Sequence, residues 1–567
     1  MLRPPTPPSM TSTCTTCQSA YEITNQELEF LKKIAPKIGE QTFEIPAPTN
    51  CPSCRLALRT VERNEQNMYH NVSAVTGKPL IALYSPDTEW GKKYKIYTHE
   101  EWWSENWDGL SYGQDFDFSR PFFEQFNELS TKIPHVNLIQ LNNENCQYTT
   151  GTAYCKNCHL INCSENSEDC YYGKLIQTSR DIMDSDYVYD SELLYECFYV
   201  KNCNNCIYTS YSQNSYDCGF SENLKGCRNC FLSTNLNNKE YHFMNEPVSK
   251  EVYEQKVQEF LGSHNAVQKA KEIINDLRTK RIHKYANIIN CENSSGDFLT
   301  NTQNCTDCYD VNDSQDCKYI NVGVNVKDLI DCSNMCLKPE LNYQVMGTIE
   351  TYDVIFSLYI FHSQNVAYSE FCFNSSNLFG CSGLRKKQYC IFNKQYTKEQ
   401  YEELVPRIIA HMHQTGEWGQ MFPMWHSPFG YNETVAQDYV PLTKEVALAR
   451  GMHWKDPDQK DYKPQTYQVP ENIKDVPDTI TKELLACENC GKNYRIIPQE
   501  LFRLRNIHLP IPHKCPDCRH GERMLLRNPP RLYARACMHC SKPIETTYAP
   551  DRPEIVYCES CYLESVY

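Results

Sequence analysis

The sequence predicts a mainly β protein: a duplicated parallel β-solenoid with capping helices, flanked by N- and C-terminal zinc-ribbon or treble-clef-like modules. Three observations predict this fold. Cys-x-x-Cys pairs cluster at both ends of the 567-residue chain, a cysteine-centred phrase recurs through the middle, and the stretch from Tyr241 repeats from Tyr389, 148 residues later. Short strand-like pieces separated by Asn, Asp and Ser turns at regular intervals are typical of solenoids.

The C-terminal module contains four Cys-x-x-Cys pairs. They are Cys487/Cys490, Cys515/Cys518, Cys537/Cys540 and Cys558/Cys561. Two thiolates on one tight turn reach a single metal ion, and two such turns complete a tetrahedral set. A site with four thiolates has no open position for water or substrate, so we expect two structural zinc ions here.

The N-terminal module aligns with the C-terminal one. Cys14/Cys17 and Cys51/Cys54 match the first two C-terminal pairs, and Gln26-Glu-Leu matches Gln499-Glu-Leu. The last four cysteines are replaced by Ser73, Thr76, Thr98 and Glu101. Cross-braced ligands would then leave two half-sites, so we infer that consecutive pairs share a metal and expect three zinc ions in all. A disulfide framework is the less favoured alternative, because paired Cys-x-x-Cys spacing suits metal better.

The altered N-terminal site should keep the backbone of the module without metal. We expect its four former ligand positions to lie together and apolar side chains to fill the space. The predicted fillers are Val72, Leu80, Leu83, Ile96 and Trp102.

Composition restricts the class of protein. The formal charge is −15 and the pI is near 5.6, so the whole chain has no general attraction for polyanions. No run of eighteen apolar residues occurs, and the start of the chain lacks the apolar core of a signal peptide. Thirty-two cysteines without an export signal predict a cytoplasmic protein in a reducing compartment, not bound to a membrane.

The middle of the chain is rich in Asn, Asp, Ser, Tyr and Cys. Cysteine-centred phrases recur there at intervals of nine or twelve residues, as at Cys197, Cys206 and Cys218. We interpret most of these cysteines as a core ladder, since a small polarisable side chain fits stacked inward positions. Four pairs also have metal-ligand spacing, which leaves further zinc sites open: Cys155/Cys158, Cys203/Cys206, Cys227/Cys230 and Cys305/Cys308.

Each half of the middle region ends in a predicted helix. Ser249 and Thr397 are the expected N-caps, and Gln400 has capping-box spacing from Thr397. Helices placed there would cover the open ends of the sheets. The predicted organisation is a disordered leader (1–13), the N-terminal zinc module (14–110), a connecting segment (111–144), solenoid repeat 1 (145–247), a helical cap (248–289), solenoid repeat 2 (290–395), a second cap (396–415), an aromatic segment and linker (416–484), and the tandem C-terminal module (485–567). Trp102 and its aromatic neighbours are expected to pack the N-terminal module on the first repeat.

Arginines recur every four residues after the second ligand pair of each module. If a helix begins at Cys51-Pro and Cys515-Pro, they line one face. The six candidates for phosphate contact are Arg55, Arg59, Arg63, Arg519, Arg523 and Arg527. They either meet the phosphates of RNA or DNA or pair with carboxylates of this acidic chain, and the charge balance favours pairing.

Catalytic motifs are not found. The chain has no Gly-rich phosphate loop, no Gly-x-Ser-x-Gly elbow and no His-Glu-x-x-His. The carboxylates Asp181, Asp184, Asp186 and Asp190 suggest a solenoid enzyme acting on carbohydrate, but such a cluster is more often a solvated face. No catalytic residue is therefore predicted.

Cys487-Glu-Asn-Cys-Gly, Gln499-Glu-Leu-Phe and Cys515-Pro-Asp-Cys-Arg resemble the probable zinc-ribbon domain of many uncharacterised bacterial proteins. With Phe429-Gly-Tyr-Asn-Glu and Tyr389-Cys-Ile-Phe-Asn, nearly the whole chain resembles large zinc-ribbon proteins of candidate-phyla (Patescibacteria) genomes. The resemblance implies zinc at the matching cysteines and a cytoplasmic bacterial protein. We predict a zinc-binding, non-enzymatic scaffold or interaction protein with a protein partner. An RNA- or DNA-binding protein and a carbohydrate-acting solenoid enzyme are the alternatives.

Overall fold

The chain forms two compact units that each combine a terminal cysteine module with one parallel-sheet region. The computed structural model describes residues 9–315, 317–318, 321–324, 327–330, 336–337, 340–457 and 462–566. The first unit consists of the described parts of Met1–Leu138, Ala286–Asp456 and Pro529–Leu532. The second consists of those of Ile139–Tyr285, Pro457–Asn528 and Tyr533–Tyr567. The N-terminal module thus shares a unit with the second sheet region, and the C-terminal module shares one with the first.

The first unit contains the N-terminal module and the second parallel-sheet region (288–395). Its α-helices are Asn25–Lys33, Pro52–Thr60, His99–Trp103, Phe122–Lys132, Lys398–Thr415, Val435–Tyr439 and Lys444–Ala449. Short 3-10 helices lie at Gly91–Lys93, Gly109–Tyr112, Met424–His426 and Tyr431–Glu433. Its strands are Ser9–Thr13, Ala20–Thr24, Lys37–Ile38, Gln41–Thr42, Tyr69–Val72, Pro79–Ala82, Lys95–Tyr97, Pro134–Val136, Ile288–Ile289, Gly296–Thr300, Cys308–Asn312, Asn321–Val324, Lys327–Ile330, Cys336–Leu337, Glu340–Tyr343, Met346–Ile349, Tyr352–Ile355, Leu358–Phe361, Gln364–Ala367, Glu370–Phe373, Ser376–Phe379, Gln388–Ile391 and Lys394–Gln395.

The second unit contains the first parallel-sheet region (140–247) and the C-terminal module. Its α-helices are Lys250–Gln258, His264–Lys280, Pro498–Asn506, Pro516–Met524 and Glu559–Val566, with 3-10 helices at Ile473–Asp475 and Asp478–Lys482. Its strands are Gln140–Leu141, Thr152–Ala153, His159–Asn162, Tyr171–Gln177, Arg180–Met183, Asp186–Tyr189, Glu192–Tyr195, Phe198–Lys201, Asn204–Ile207, Ser210–Gln213, Arg228–Phe231, Glu240–Phe243, Glu246–Pro247, Ile282–Lys284, Leu485–Ala486, Asn493–Tyr494, Tyr533–Ala536, Pro543–Thr546 and Ile555–Tyr557.

Parallel strand pairs in both sheet regions share a twelve-residue register. In the first region Ile182 pairs with Leu194, and Leu194 with Cys206. In the second region Val366 pairs with Leu378, and Leu378 with Cys390. These side chains are buried, so equivalent residues stack from one repeat to the next. The predicted twelve-residue interval and parallel sheets are confirmed.

A left-handed residue stands at every third position of these repeats. From Asn202 to Asn214, each third residue has a φ between 47° and 51°. Asn and Asp tolerate this conformation better than most residues, which explains their abundance here. Their side chains also bond to one another between repeats, as from Asn202 Nδ2 to Asn214 Oδ1 at 2.7 Å.

The residue after each left-handed position points into the core. Between 203 and 215 these inward residues are Cys203, Cys206, Thr209, Ser212 and Ser215, all buried. Each twelve-residue repeat contributes four such side chains, which leaves a narrow core where small or slender side chains fit. Three-residue Cys-x-x-Cys spacing in this region is therefore the spacing of neighbouring inward positions.

The inward serines and cysteines also form hydrogen bonds with buried N–H and C=O groups of the backbone. Ser191 Oγ donates to Tyr189 O at 2.7 Å and accepts the N–H of Cys203, one repeat further on, at 3.0 Å. Cys206 Sγ lies 3.4 Å from the carbonyl oxygen of Asn204, in the equivalent donor position. A buried polar backbone group without a partner is costly, so these hydroxyls and thiols keep a narrow polar core stable.

The predicted helix caps are confirmed and several predicted boundaries are corrected. Ser249 and Thr397 cap their helices, and Thr397 forms the capping box with Gln400. The predicted disordered leader (1–13) is too long, because Ser9–Thr13 forms a strand that pairs with Ala20–Thr24. Residues 1–8 lie outside the described residues. Ile473, Val476 and Ile480 are buried in the second unit, so the predicted linker is also shorter.

The aromatic segment after the N-terminal module packs on the second sheet region, not on the first as predicted. The ring centroid of Trp102 lies 5.4 Å from that of Phe373, and Phe122 lies 5.7 Å from Phe379. Trp418 and Phe422 join the same core. Contacts of this kind depend on residues about 270 positions apart, for which the sequence offers no local signal.

Candidate metal centres

Three four-cysteine clusters form from the consecutive pairs that the sequence predicts. They are Cys14/Cys17/Cys51/Cys54, Cys487/Cys490/Cys515/Cys518 and Cys537/Cys540/Cys558/Cys561, and within each the sulfur atoms all lie within 4.8 Å of one another. The predicted sequential grouping of ligands is therefore confirmed, and each cluster can hold a metal ion.

Each cluster begins with a turn of the same geometry. After the second cysteine the chain takes a positive φ, at Gln18, Gly491 and Ser541. The N–H of that residue donates to the carbonyl oxygen of the first cysteine, at 3.0 Å for Cys14 and 2.9 Å for Cys487. The turn directs both thiols of a pair to one side, as a shared metal requires.

The second pair of each cluster lies at the start of a helix. Cys51 and Cys515 are the N-cap residues of Pro52–Thr60 and Pro516–Met524, with proline in the first turn as predicted. The backbone N–H groups at a helix start favour negative charge. These N–H groups favour the thiolate, but at Cys515 burial outweighs the N–H of Cys518 and raises the pKa of the thiol.

The sulfur spacing matches a tetrahedral site. The second and third cysteines of the clusters have Sγ···Sγ distances of 3.7 Å, for Cys17/Cys51, Cys490/Cys515 and Cys540/Cys558 alike. A tetrahedron with Zn–S bonds of about 2.3 Å has edges of about 3.8 Å. The distance between these two sulfurs matches such an edge, and the other sulfurs of each cluster lie within 4.8 Å of one another.

Several thiol pKa values in the clusters lie below their ordinary range. A hydrogen bond from the Cys54 thiol lowers the pKa of Cys51 to about 4, and the same bond raises the pKa of Cys54. Burial alone would raise the pKa of Cys487, but the backbone N–H groups of Cys515 and Cys490 outweigh it and lower that pKa to about 6. Thiolates are the form in which cysteine binds metal.

The altered N-terminal site keeps the module's backbone and replaces the metal with a carboxylate. Ser73 and Gly77 repeat the turn geometry, with Gly77 N donating to Ser73 O at 2.9 Å. Ser73 Oγ lies 2.7 Å from Glu101 Oε1, and the N–H of Thr98 donates to Glu101 Oε2 at 2.8 Å. The former ligand positions thus lie together, as the alignment predicts.

The expected apolar filling of that site needs correction. Leu83, Ile96 and Trp102 are buried, whereas Val72 is 54% exposed and Leu80 is half-buried. Thr98 and Glu101 form a capping box at the start of His99–Trp103. Burial of Glu101 would raise its pKa, but the hydrogen bonds from Thr98 and Ser73 outweigh this effect and lower it. Polar bonding, and not apolar packing, occupies the centre.

The cysteines of the sheet regions do not form further clusters in the described part of the chain. None of them belongs to a group of three or more ligand atoms within 4.8 Å of one another. The four Cys-x-x-Cys pairs in question are buried as inward residues. The core-ladder interpretation accounts for their spacing.

The helix that carries Cys515 and Cys518 is joined to the first sheet region by buried charges. Arg519 lies 2.8 Å from Glu500 and 3.2 Å from Asp184, whose carboxylate accepts no well-aligned hydrogen bond among the described residues. Burial raises the pKa of Asp184 to about 7. Arg523 lies 2.7 Å from Asp186 and 2.9 Å from Glu196. Burial of Asp186 is outweighed by Arg523 and His520, which hold its pKa well below the usual range.

Five of the six arginines predicted as phosphate contacts are buried. Arg55 lies 3.6 Å from Glu27 and donates to Asn50 O, and Arg63 pairs with Glu65. Arg59 is fully buried, as are Arg519 and Arg523. These guanidinium groups cannot reach a phosphate in this structure, which corrects their assignment. Arg527 is half-buried, with its guanidinium 5.1 Å from the ring centroid of Tyr187.

No protein-family profile matches the chain. A search of curated proteins finds no match either. In the part of the chain that the structure describes, none of the helices has the length and apolar character needed to span a membrane.

Contacts of three further side chains, Glu500, Tyr84 and Tyr548, were not predicted from the sequence. Glu500 matches Glu27 in the alignment, but its role as an internal partner of Arg519 depends on tertiary packing. Tyr84 and Tyr548 also match, and each hydroxyl meets a histidine: His135 Nδ1 at 3.2 Å and His283 Nδ1 at 2.9 Å. The matched pairs Gln26-Glu and Gln499-Glu, and the two Tyr-x-Pro-Asp stretches, were the signals that could have revealed them.

Proposed function

We propose that the three four-cysteine clusters bind structural Zn²⁺. The proposal depends on the 3.7 Å sulfur spacing and on ligand sets made of thiolates alone. Four thiolates complete the coordination of zinc, so the ion would supply folding free energy and no catalytic water. The residues that would hold it are the twelve cysteines of the clusters.

We further propose that the two sheet regions are β-solenoid repeats produced by internal duplication. Both have the twelve-residue register and inward positions three residues apart. Polar contacts recur 148 residues apart: Asn245 Oδ1 accepts the N–H of Thr234 at 2.7 Å, and Asn393 Oδ1 accepts that of Ser382 at 2.9 Å. The paired histidines His135 and His283 have the same offset. Repetition of such detail supports duplication over chance similarity.

The role that fits these features best is a non-enzymatic scaffold or interaction protein. Two of the four carboxylates suggested for catalysis, Asp184 and Asp186, are buried against arginines. Their partners Arg519 and Arg523 are two of the six arginines suggested for nucleic acid. We therefore favour a protein partner over nucleic acid or carbohydrate.

We also propose that this is a cytoplasmic bacterial protein related to the large zinc-ribbon proteins. Thirty cysteines of the described part of the chain are free of disulfide bonds, which agrees with a reducing compartment. The motifs around Cys487 and Cys515 support the family resemblance.

Binding of the full chain to RNA at varied salt separates the scaffold from its nearest rival. A protein that neutralises phosphates loses affinity steeply as salt rises. We expect no salt-sensitive binding of a mixed-sequence single-stranded RNA. Tight binding whose log-log salt slope falls on changing Arg527→Ala, with Arg505→Ala as control, would favour the nucleic-acid function instead.

A further inference from the structure

We propose that His264, Glu488 and His513 form a fourth metal site, with nitrogen and oxygen ligands, in the second unit. One ligand atom from each residue lies within 4.8 Å of the others. Two imidazoles and one carboxylate are a ligand set suited to zinc and similar divalent ions. The proposal goes beyond the four-cysteine clusters and does not depend on metal being bound there.

The three side chains come from segments that are joined by backbone hydrogen bonds. His264 begins the helix His264–Lys280, and its N–H donates to Glu471 O at 3.0 Å. Glu488 lies in the Cys487–Cys490 turn, and its N–H donates to His513 O at 3.1 Å. Gly262 N donates to His508 O at 2.7 Å, which ties the helix start to the loop that leads to His513. The ligands therefore lie on a fixed frame.

The side chains are already in contact. His513 Nδ1 lies 2.7 Å from Glu488 Oε1, and the rings of His264 and His513 stack with centroids 3.7 Å apart. Because Glu488 lies against Nδ1 of His513, an ion held by both residues would bind that nitrogen and replace this hydrogen bond.

Metal binding requires one movement. The two rings are nearly parallel, at 9°, and one ion cannot lie in both ring planes. The half-buried His264 ring would have to turn about its Cβ–Cγ bond for one of its nitrogens to point at the ion. Three protein ligands leave a coordination position for water, so we expect this site to bind zinc more weakly than the thiolate clusters.

An ion at this position would join the start of the His264–Lys280 helix to the first turn of the C-terminal module. That helix follows the first sheet region, and the turn carries Cys487 and Cys490. The site would thus stabilise the packing of the module inside the second unit. Its effect would depend on the free zinc concentration.

Zinc titration of the tag-free full chain tests the proposal. After the four-cysteine clusters are saturated, we expect one further equivalent of Zn²⁺ to bind. His264→Ala and His513→Ala should each weaken this equivalent by more than about tenfold, the loss typical of disturbed metal shells. His508→Asn is the matched control, because Asn tolerates its φ of 54° and removes an imidazole of the same loop.

The visible absorption spectrum of the Co²⁺-loaded protein is an independent test of the fourth site. Co²⁺ in the fourth site should add weak visible bands without the intense thiolate charge-transfer absorption of the cysteine clusters. The proposal is overturned if no further equivalent binds, or if it persists in both histidine variants. Loss of the thiolate-bound ions alone would instead count against zinc in the cysteine clusters, so the two failures are distinguishable.

Discussion

Arg523 Nε lies 2.7 Å from Asp186 Oδ2, and both side chains are buried. Arg523 belongs to the helix that provides Cys515 and Cys518, whereas Asp186 begins a strand of the first sheet region. The ion pair therefore joins a candidate metal module to a sheet within the second unit. Removing one partner of such a pair leaves an uncompensated buried charge.

Arg523→Ala should destabilise the second unit by about 3–5 kcal/mol, because Asp186 and Glu196 would be left without their cation. Urea unfolding followed by circular dichroism measures the change. Arg505→Ala is the matched control on the same module, since Arg505 pairs with Asp478 at the surface and should lose only about 0–1 kcal/mol. Equal effects of the two changes would contradict the role given to the buried pair.

Restoring cysteines to the altered N-terminal site should create a new zinc site. The fourfold change Ser73→Cys, Thr76→Cys, Thr98→Cys and Glu101→Cys places thiols on a backbone that retains the turn and helix start of the C-terminal module. Elemental analysis should find one more zinc per chain than in the unchanged protein. The variant that keeps Glu101 and carries the other three changes is the control. An unchanged zinc content in the fourfold variant would show that the backbone is not suited to metal.

Stability of the first unit should fall as pH rises from about 6 to 8. Burial would lower the pKa of His426, but its hydrogen bond to Glu370 and the charge of Glu370 outweigh this effect and raise it. A raised folded-state pKa means that the stabilisation is complete below the unfolded pKa, about 6.5, and is lost as pH passes the folded one. Glu62 acts in the same direction, because burial raises its pKa to about 7.

Urea unfolding measured at several pH values tests whether the stability of the first unit falls as pH rises. His426→Gln and Glu62→Gln should each flatten the profile between pH 6 and 8. Each variant is compared with the unchanged protein and not with the second unit, because burial also raises the pKa of Asp184 there to about 7. A pH dependence unaffected by either change would place its source elsewhere.

Replacing an inward cysteine of the sheet regions by serine should leave the zinc content of the protein unchanged. Cys206→Ser places a hydroxyl where Ser212 and Ser215 already donate to the backbone in the same way. We expect a loss of about 1 kcal/mol and an unchanged zinc content. Release of zinc on this change would mean that the ladder cysteines are ligands.

The sequence was sufficient for the local features of this chain. The joint loss of the last two ligand pairs at Ser73, Thr76, Thr98 and Glu101 predicted the sequential grouping, and the capping box of Thr397 followed from residue types alone. These features depend on neighbours within a few residues or on comparison of two copies.

The remaining features depend on tertiary contacts that no local pattern encodes. Arg519 meets Asp184, 335 residues earlier, so its burial was invisible in the spacing of the arginines. The left-handed residue at every third position was hidden because many of these positions carry Tyr, Leu or Glu, which rarely adopt that conformation. The alignment predicted that Glu101 lies at a former ligand position. Its hydrogen bond with Ser73 depends on the orientation of both side chains, which the sequence does not show.

Zinc content of the full chain, purified without chelator and dialysed against metal-free buffer, tests the central claim most directly. We predict three retained ions, bound by the three four-cysteine clusters. Cys17→Ser, Cys515→Ser and Cys558→Ser should each lower the retained content by one, because three thiolates and an alcohol hold zinc less firmly. Fewer than three ions in the unchanged protein, or a content that none of these substitutions lowers, would contradict the account.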